Sequence, residues 1–262
     1  MAAYNKIDHC SLSNTADCIS QHVHLEWNLD FTENVISGSA RHSMKIITEG
    51  VVEVAFDCSA LLVDSVYINH QETSFEIGDA VPGLGSRLRV AIPEGFREED
   101  TYFDVLVNYS TSKSASAIQW LDKGATKGGN HPYVFTQCQA IHARSLLPCQ
   151  DTPGNKITYT ANVTAPSWCI VLMSALFENS KDVVVNGEAM MVHAWRQPVP
   201  IPTYLVALAA GNLASIGELR RHTQHSTRID TTCAQTLARA CACGPSLRWC
   251  RLITLTLILT IT

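Results

Sequence analysis

The chain has no cluster of lysines and arginines interleaved with aromatic residues, so it carries no electrostatic footprint for nucleic acid. It also lacks an apolar run long enough for a bilayer. The tract that invites the question, residues 252–261, is ten residues of Leu, Ile and Thr, about half of the roughly 20 that a membrane helix needs. No membrane span is expected. The opening MAAYNKIDHC has no apolar stretch behind a basic start, so no secretory signal is recognisable. The expectation is a cytoplasmic protein whose cysteines stay reduced. Asn108-Tyr109-Ser110 and Asn162-Val163-Thr164 fit the glycosylation pattern, but without secretion they are chance occurrences within strands.

What is present is a globular core. Of the 262 residues, 46% are apolar, enough for one large β domain or two ordinary ones. Apolar residues alternate at Val23, Leu25, Trp27, Leu29 and Phe31, and again at Ala40, Met44 and Ile46. Alternation of this kind puts one face of a strand in a core, so His42 is expected to be a strand histidine and not a ligand. Similar short patterns occur at Val52–Phe56, Val66–Ile68, Leu88–Ile92, Phe103–Tyr109 and Ile157–Ala165. Asn69-His70-Gln71 stands where a tight hairpin turn belongs. Residues 110–129 read as a surface loop interrupted by the apolar patch Ile118-Trp120-Leu121. Val171-Met173-Ala175 and Val183-Val185 read as a strand pair with Gly187 at its turn. Pro198, Pro200 and Pro202 forbid helix, and Leu205 to Ala210 is expected to be a strand buried on both faces. The fold class predicted is all-β, an antiparallel sandwich.

The net charge of −5 is unevenly distributed. The first 221 residues hold 15 basic and 23 acidic groups, a balance of −8, and the last 41 hold +3 with no lysine. Four of the ten cysteines, Cys233, Cys241, Cys243 and Cys250, lie in that last part. Residues 1–221 are therefore read as the β domain and 222–262 as an atypical tail, unstructured or translated from another frame or exon. Cys-Ala-Cys without a second close pair is a weak zinc signal. The uncharged 252–261 tract resembles a sticky strand.

The most informative stretch is Thr136 to Pro153, TQCQAIHARSLLPCQDTP, which is polar where a core should not be. It fits neither helix nor strand periodicity and is expected to be a loop lining a cleft. Its bland reading is a connector held by side-chain hydrogen bonds. Cys138, His142 and Cys149 invite a metal reading, and Cys138 with His142 a nucleophile and base. The first needs a fourth ligand that nothing nearby supplies.

QCQAIHARSLLPCQDTP followed by KITYTANVTAP resembles the signature of the leukotriene A4 hydrolase branch of the zinc aminopeptidases, which includes aminopeptidase B. The likeness extends upstream through HPYVFTQ and downstream through PVPIPTYLVALAAGNL, covering roughly Cys10 to Arg221. Gln139 stands where most of the wider family carries glutamate, as the hydrolase branch has it. The resemblance implies a saddle-like, antiparallel or mixed N-terminal β domain. It also implies that Gln137, Cys138 and Gln139 bind substrate, the glutamine amides reaching a peptide N-terminus or a lipid epoxide in the full-length family. Arg144 and Asp151 are expected to pair and hold the loop. The family turn also favours glycine after Asn69, so His70 is a departure.

A zinc aminopeptidase needs a helix bearing His-Glu-x-x-His, so that two imidazoles face one metal. None of the ten histidines is followed by Glu. The expectation is no catalytic residue, metal or cofactor in this chain, with zinc in the full-length family, and a truncated chain that is inactive alone. The alternative is a stand-alone β-sandwich interaction module, with self-association through the exposed interdomain face.

Overall fold

The computed structural model describes residues 8–214, and nearly all of its regular structure is sheet. The strands are β1 (Cys18–Asp30), β2 (Val35–Ile46), β3 (Glu53–Cys58), β4 (Leu61–Ile68), β5 (Gln71–Glu72), β6 (Phe75–Ile77), β7 (Ser86–Ala91) and β8 (Tyr102–Thr111). They continue with β9 (Ile118–Leu121), β10 (Tyr133–Thr136), β11 (Lys156–Pro166), β12 (Ile170–Met173), β13 (Leu176–Val185), β14 (Glu188–Pro202) and β15 (Leu208–Gly211). An eight-stranded sheet has the order β13-β14-β11-β1-β2-β8-β4-β5, a four-stranded sheet β12-β15-β10-β9, and a three-stranded sheet β3-β7-β6. The β1–β11 pair is parallel within an otherwise antiparallel large sheet, which makes that sheet mixed.

Alternation decides the two faces of the large sheet. Val23, Leu25, Trp27 and Leu29 of β1 and Tyr159, Ala161 and Val163 of β11 are buried, and each large apolar side chain so placed contributes about 1.5–3 kcal/mol. The intervening positions turn outward and pair with one another. His22 Nδ1 lies 2.7 Å from Thr158 Oγ1, and His24 Nδ1 2.7 Å from Thr160 Oγ1. A polar ladder thus covers the parallel joint. His42 sits on the inner face of β2 among Ala40 and Met44, fully buried.

Several expectations are corrected. Residues 118–121 are not a patch within a loop but the strand β9, paired with β10 from Ile118–Thr136 to Leu121–Tyr133. Neither four-residue strand is long enough for its alternation to register against the loop residues around it. β12 does not pair with β13. It joins β15 in the four-stranded sheet, and β13 pairs with β14 across Asn186 and Gly187. Those two residues have φ of 52° and 85°, the left-handed pair that a two-residue hairpin requires. The expected strand over 205–210 is shorter and later: Thr203–Leu205 form a 3-10 turn after Pro202, and all four residues of β15 are buried. The three prolines do lie in extended backbone, at the end of β14. The tail 222–262 lies outside the described residues.

The hairpin between β4 and β5 turns at Asn69 and His70, with φ of 45° and 71°. A side chain with a Cβ pays about 1 kcal/mol in this region, whereas glycine does not. His70→Gly is therefore expected to stabilise the fold by about 1 kcal/mol, read as a higher urea midpoint at unchanged slope.

Candidate functional site

The stretch after β10 leaves the four-stranded sheet at Gln137, whose N–H donates to Ala117 O at 2.8 Å. It turns tightly, His142 N donating to Cys138 O at 2.9 Å, and winds a 3-10 turn over Ala143–Ser145. Much of it is not surface. Cys138, Ala143, Arg144, Leu146, Leu147, Cys149, Gln150 and Asp151 are each at most 2% exposed. Most of the loop is thus a core connector, and it leaves a short exposed crest at Gln137 and at Ala140 and His142.

Buried polar groups persist only when they are paired, and Arg144 organises that pairing. Its Nε donates to Asp151 Oδ2 at 3.0 Å, one terminal nitrogen to Leu84 O at 2.7 Å, and the other to Cys10 O at 2.7 Å and Asp151 O at 3.1 Å. The expected pair is present and wider than expected. Asp57 of β3 lies 3.6 Å from the guanidinium and accepts from Leu12 N at 2.6 Å, Ser11 Oγ at 2.6 Å and Asp151 N at 2.9 Å. Thr203 Oγ1 donates to the second oxygen of Asp151 at 2.7 Å. Burial raises the Asp151 pKa, opposed by the hydrogen bonds from Thr203 and Arg144. One cation and two carboxylates therefore tie the loop to β3, the 3-10 turn after β14 and the N-terminal segment.

A second set of bonds ties it to the large sheet. Gln150 accepts from Ser20 N and donates to Cys18 O, both at 2.8 Å. Tyr109 OH donates to Leu146 O at 3.1 Å and accepts from Trp27 Nε1 at 2.8 Å. The His42 ring spans Ser20 Oγ and Pro148 O, each at 3.0 Å. Burial pushes its pKa down to about 4, with the Pro148 carbonyl pulling the other way.

A folded pKa below the unfolded 6.5 means that His42 stabilises the fold fully above about pH 6.5 and loses that contribution as pH falls towards 4. The loss is about 2 kcal/mol by pH 5. Urea midpoints of the wild type and His42→Gln measured from pH 7 to 5 test this. The difference between them should shrink by about that amount, and a constant difference would contradict it.

Of the three predicted substrate residues, Gln137 is exposed and Gln139 half-buried, with Cys138 between them in the core. Neither glutamine amide hydrogen-bonds among the described residues, although the backbone beneath is held on all sides. Burial raises the Cys138 and Cys149 thiols far above their ordinary value, so neither is a thiolate available as nucleophile or ligand. His142 Nδ1 instead meets Ser116 Oγ at 2.7 Å. Beside this crest lies a concavity of about 480 Å³ lined by Val81, Pro82, Leu84, Ser116, Ile141 and His142. Sequence reasoning missed Asp57, Thr203 and Ser116. Asp57 carried a usable signal, a carboxylate inside the apolar run Val54–Cys58.

Residues 19–205 match the family described as the peptidase M1 N-terminal domain. The chain belongs to that family. As an M1 N-terminal domain it is similar to leucine aminopeptidase 2-2 of Scheffersomyces stipitis, 37% identical over 214 residues, 81% of this chain and 32% of the relative. The leukotriene A-4 hydrolase of Xenopus laevis is 34% identical over 193 residues, 74% of this chain and 31% of the relative. The native leukotriene A4 hydrolase of Saccharomyces cerevisiae superposes with a TM-score of 0.71 at 34% identity, over 83% of this chain and 32% of that one. The chain thus spans about a third of the length of the relatives it matches. The mixed large sheet with two smaller ones is the M1 N-terminal fold.

The zinc of M1 peptidases does not fit the described residues of this domain. Among the described residues no three His, Cys, Asp or Glu side chains are grouped to hold a metal ion, and the buried cysteines are held as thiols. No helix of the described residues is long and apolar enough to cross a membrane.

Proposed function

We propose that this domain forms one wall of the substrate cleft of an M1 aminopeptidase of the leukotriene A4 hydrolase type. Gln137 and Gln139 are the residues that meet substrate, a peptide N-terminus or a lipid epoxide, through amides that can both donate and accept. Cys138 holds the two apart from below. The observation that carries this is the contrast between a crest with free amides and a loop base anchored by Arg144, Asp57, Asp151 and Gln150. Free polar groups on a fixed backbone are what a binding site requires. The domain unit is assigned to residues 1–221, with 222–262 apart from it. Zinc and the water-activating glutamate belong to the opposite wall.

Purified protein supplied with zinc is expected to give no turnover of an aminoacyl-4-nitroanilide above buffer. Zinc-dependent turnover abolished by a chelator would overturn the assignment.

A second role for the same face is self-association, favoured by the apolar rim of the 480 Å³ concavity, where Val81 is 41% exposed. Sedimentation at rising concentration distinguishes the two. Val81→Asp should abolish any dimer, and a monomer at all concentrations removes this role.

A further inference from the structure

The outer face of the large sheet carries a second concavity, of about 330 Å³, remote in sequence from the signature loop. Register defines it. Leu106 of β8 is directly opposite Arg41 of β2 on one side and Tyr67 of β4 on the other. All three stand on the outward face, so an arginine and a tyrosine form walls with a leucine as floor. The next outward positions of β8 close the two ends. Asp104 lies at one end beside Asn69, whose Oδ1 accepts the Asp104 N–H at 2.9 Å. Asn108 lies at the other, its amide donating to Ser65 Oγ at 2.9 Å. A β-bulge between Val63 and Ser65 re-aims β4 where Ser65 meets Asn108.

The spacing leaves room for a flat ligand. Strands two positions apart in a sheet are separated by roughly 9.6 Å. A flat group in van der Waals contact with planar neighbours on both sides needs roughly 7–8 Å. One aromatic ring standing on edge over Leu106 has room between Arg41 and Tyr67, and both of these side chains stack on a ring face. Arg41 has no hydrogen bond or ion pair among the described residues, so its guanidinium can lie on a ring face. Asp104 uses one carboxylate oxygen on Ser43 Oγ at 3.0 Å, and its other oxygen has no hydrogen bond among the described residues. It can accept an N–H from the ring edge.

We propose that this groove binds a flat aromatic ring bearing an N–H donor, stacked between Arg41 and Tyr67 with the donor on Asp104. An indole side chain and a free purine share this chemistry. Binding is independent of the cleft wall proposed above.

The test titrates the full chain with N-acetyltryptophanamide, with its 1-methylindole analogue and with guanosine, following backbone amide shifts of residues 104–108 by NMR. At least one N–H-bearing ring should saturate, with a Kd on the order of 1 mM, and the ring that does so identifies the source. Arg41→Ala and Tyr67→Ala should each weaken it about tenfold without changing the thermal midpoint. Asp104→Ala should weaken the N–H ring and leave the methylated one unaffected. No saturation by either ring at 10 mM, or binding indifferent to both wall substitutions, would overturn the proposal.

Discussion

Arg144→Met should lower the unfolding free energy by about 3–5 kcal/mol. Arg144 is 2% exposed, and Asp57 and Asp151 are 0% and 1% exposed. Removing the one cation between them strands two buried acids. Asp57 would keep its bonds from Leu12, Ser11 and Asp151 N–H, whereas Asp151 would keep only Thr203 Oγ1 and the longer bond from the residue-144 backbone N–H at 3.3 Å. Burial already raises the Asp151 pKa, and without the guanidinium beside it the pKa would rise further. The Leu84 and Cys10 carbonyls would lose their donors as well. Arg144→Lys should recover little, because a single ammonium cannot reproduce a fork that serves four acceptors in fixed directions. Urea unfolding measures both variants. A loss below about 1 kcal/mol would mean that the cluster does not anchor the loop.

Gly38→Ala should cost about 4 kcal/mol or prevent folding. Gly38 has φ of 143°, and a Cβ built there lies 1.8 Å from Glu26 O and 3.3 Å from Trp27 Cα. Those atoms belong to β1 backbone paired with β2 at Trp27 and Gly38, so they cannot swing aside as a side-chain tip could. Relief requires separating the two strands at the centre of the large sheet, next to the parallel joint with β11. Gly50 is the control. It also has a positive φ, 79°, but nothing lies within 4 Å of its added Cβ. Gly50→Ala should cost only about 1 kcal/mol. Equal losses for the two would show that conformational preference, and not the close approach of β1, fixes glycine at position 38.

Both predictions fall where sequence pattern was silent, for a physical reason. Long alternations such as Val23 to Phe31 and Phe103 to Tyr109 gave β1 and β8 because a half-buried strand needs period two over many residues. β9 and β10 are four residues each, too short for periodicity to stand out. The pairing of β12 with β15 joins segments far apart in the chain, which neighbouring turn signals cannot report. The signature loop was legible as a place but not as an environment. Arg144, Gln150 and Asp151 are residue types that usually face water, and only their partners reveal that they do not. Those partners lie 52 to 134 positions away, at Thr203, Leu84, Asp57 and Cys10. Gln137 and Gln139 came from resemblance, and the fold supplies the reason that their amides are free.

The most direct measurement joins this domain to the wall it is proposed to face. Residues 1–214 would replace the matched N-terminal third of the Xenopus laevis leukotriene A-4 hydrolase, and aminopeptidase kinetics would be read with and without Gln139→Ala. The expected result is an active, zinc-dependent fusion in which Gln139→Ala raises KM or lowers kcat/KM about tenfold, roughly the loss of one substrate hydrogen bond. A folded, zinc-loaded fusion whose kinetics do not respond to Gln139→Ala would contradict the assignment of this crest to substrate.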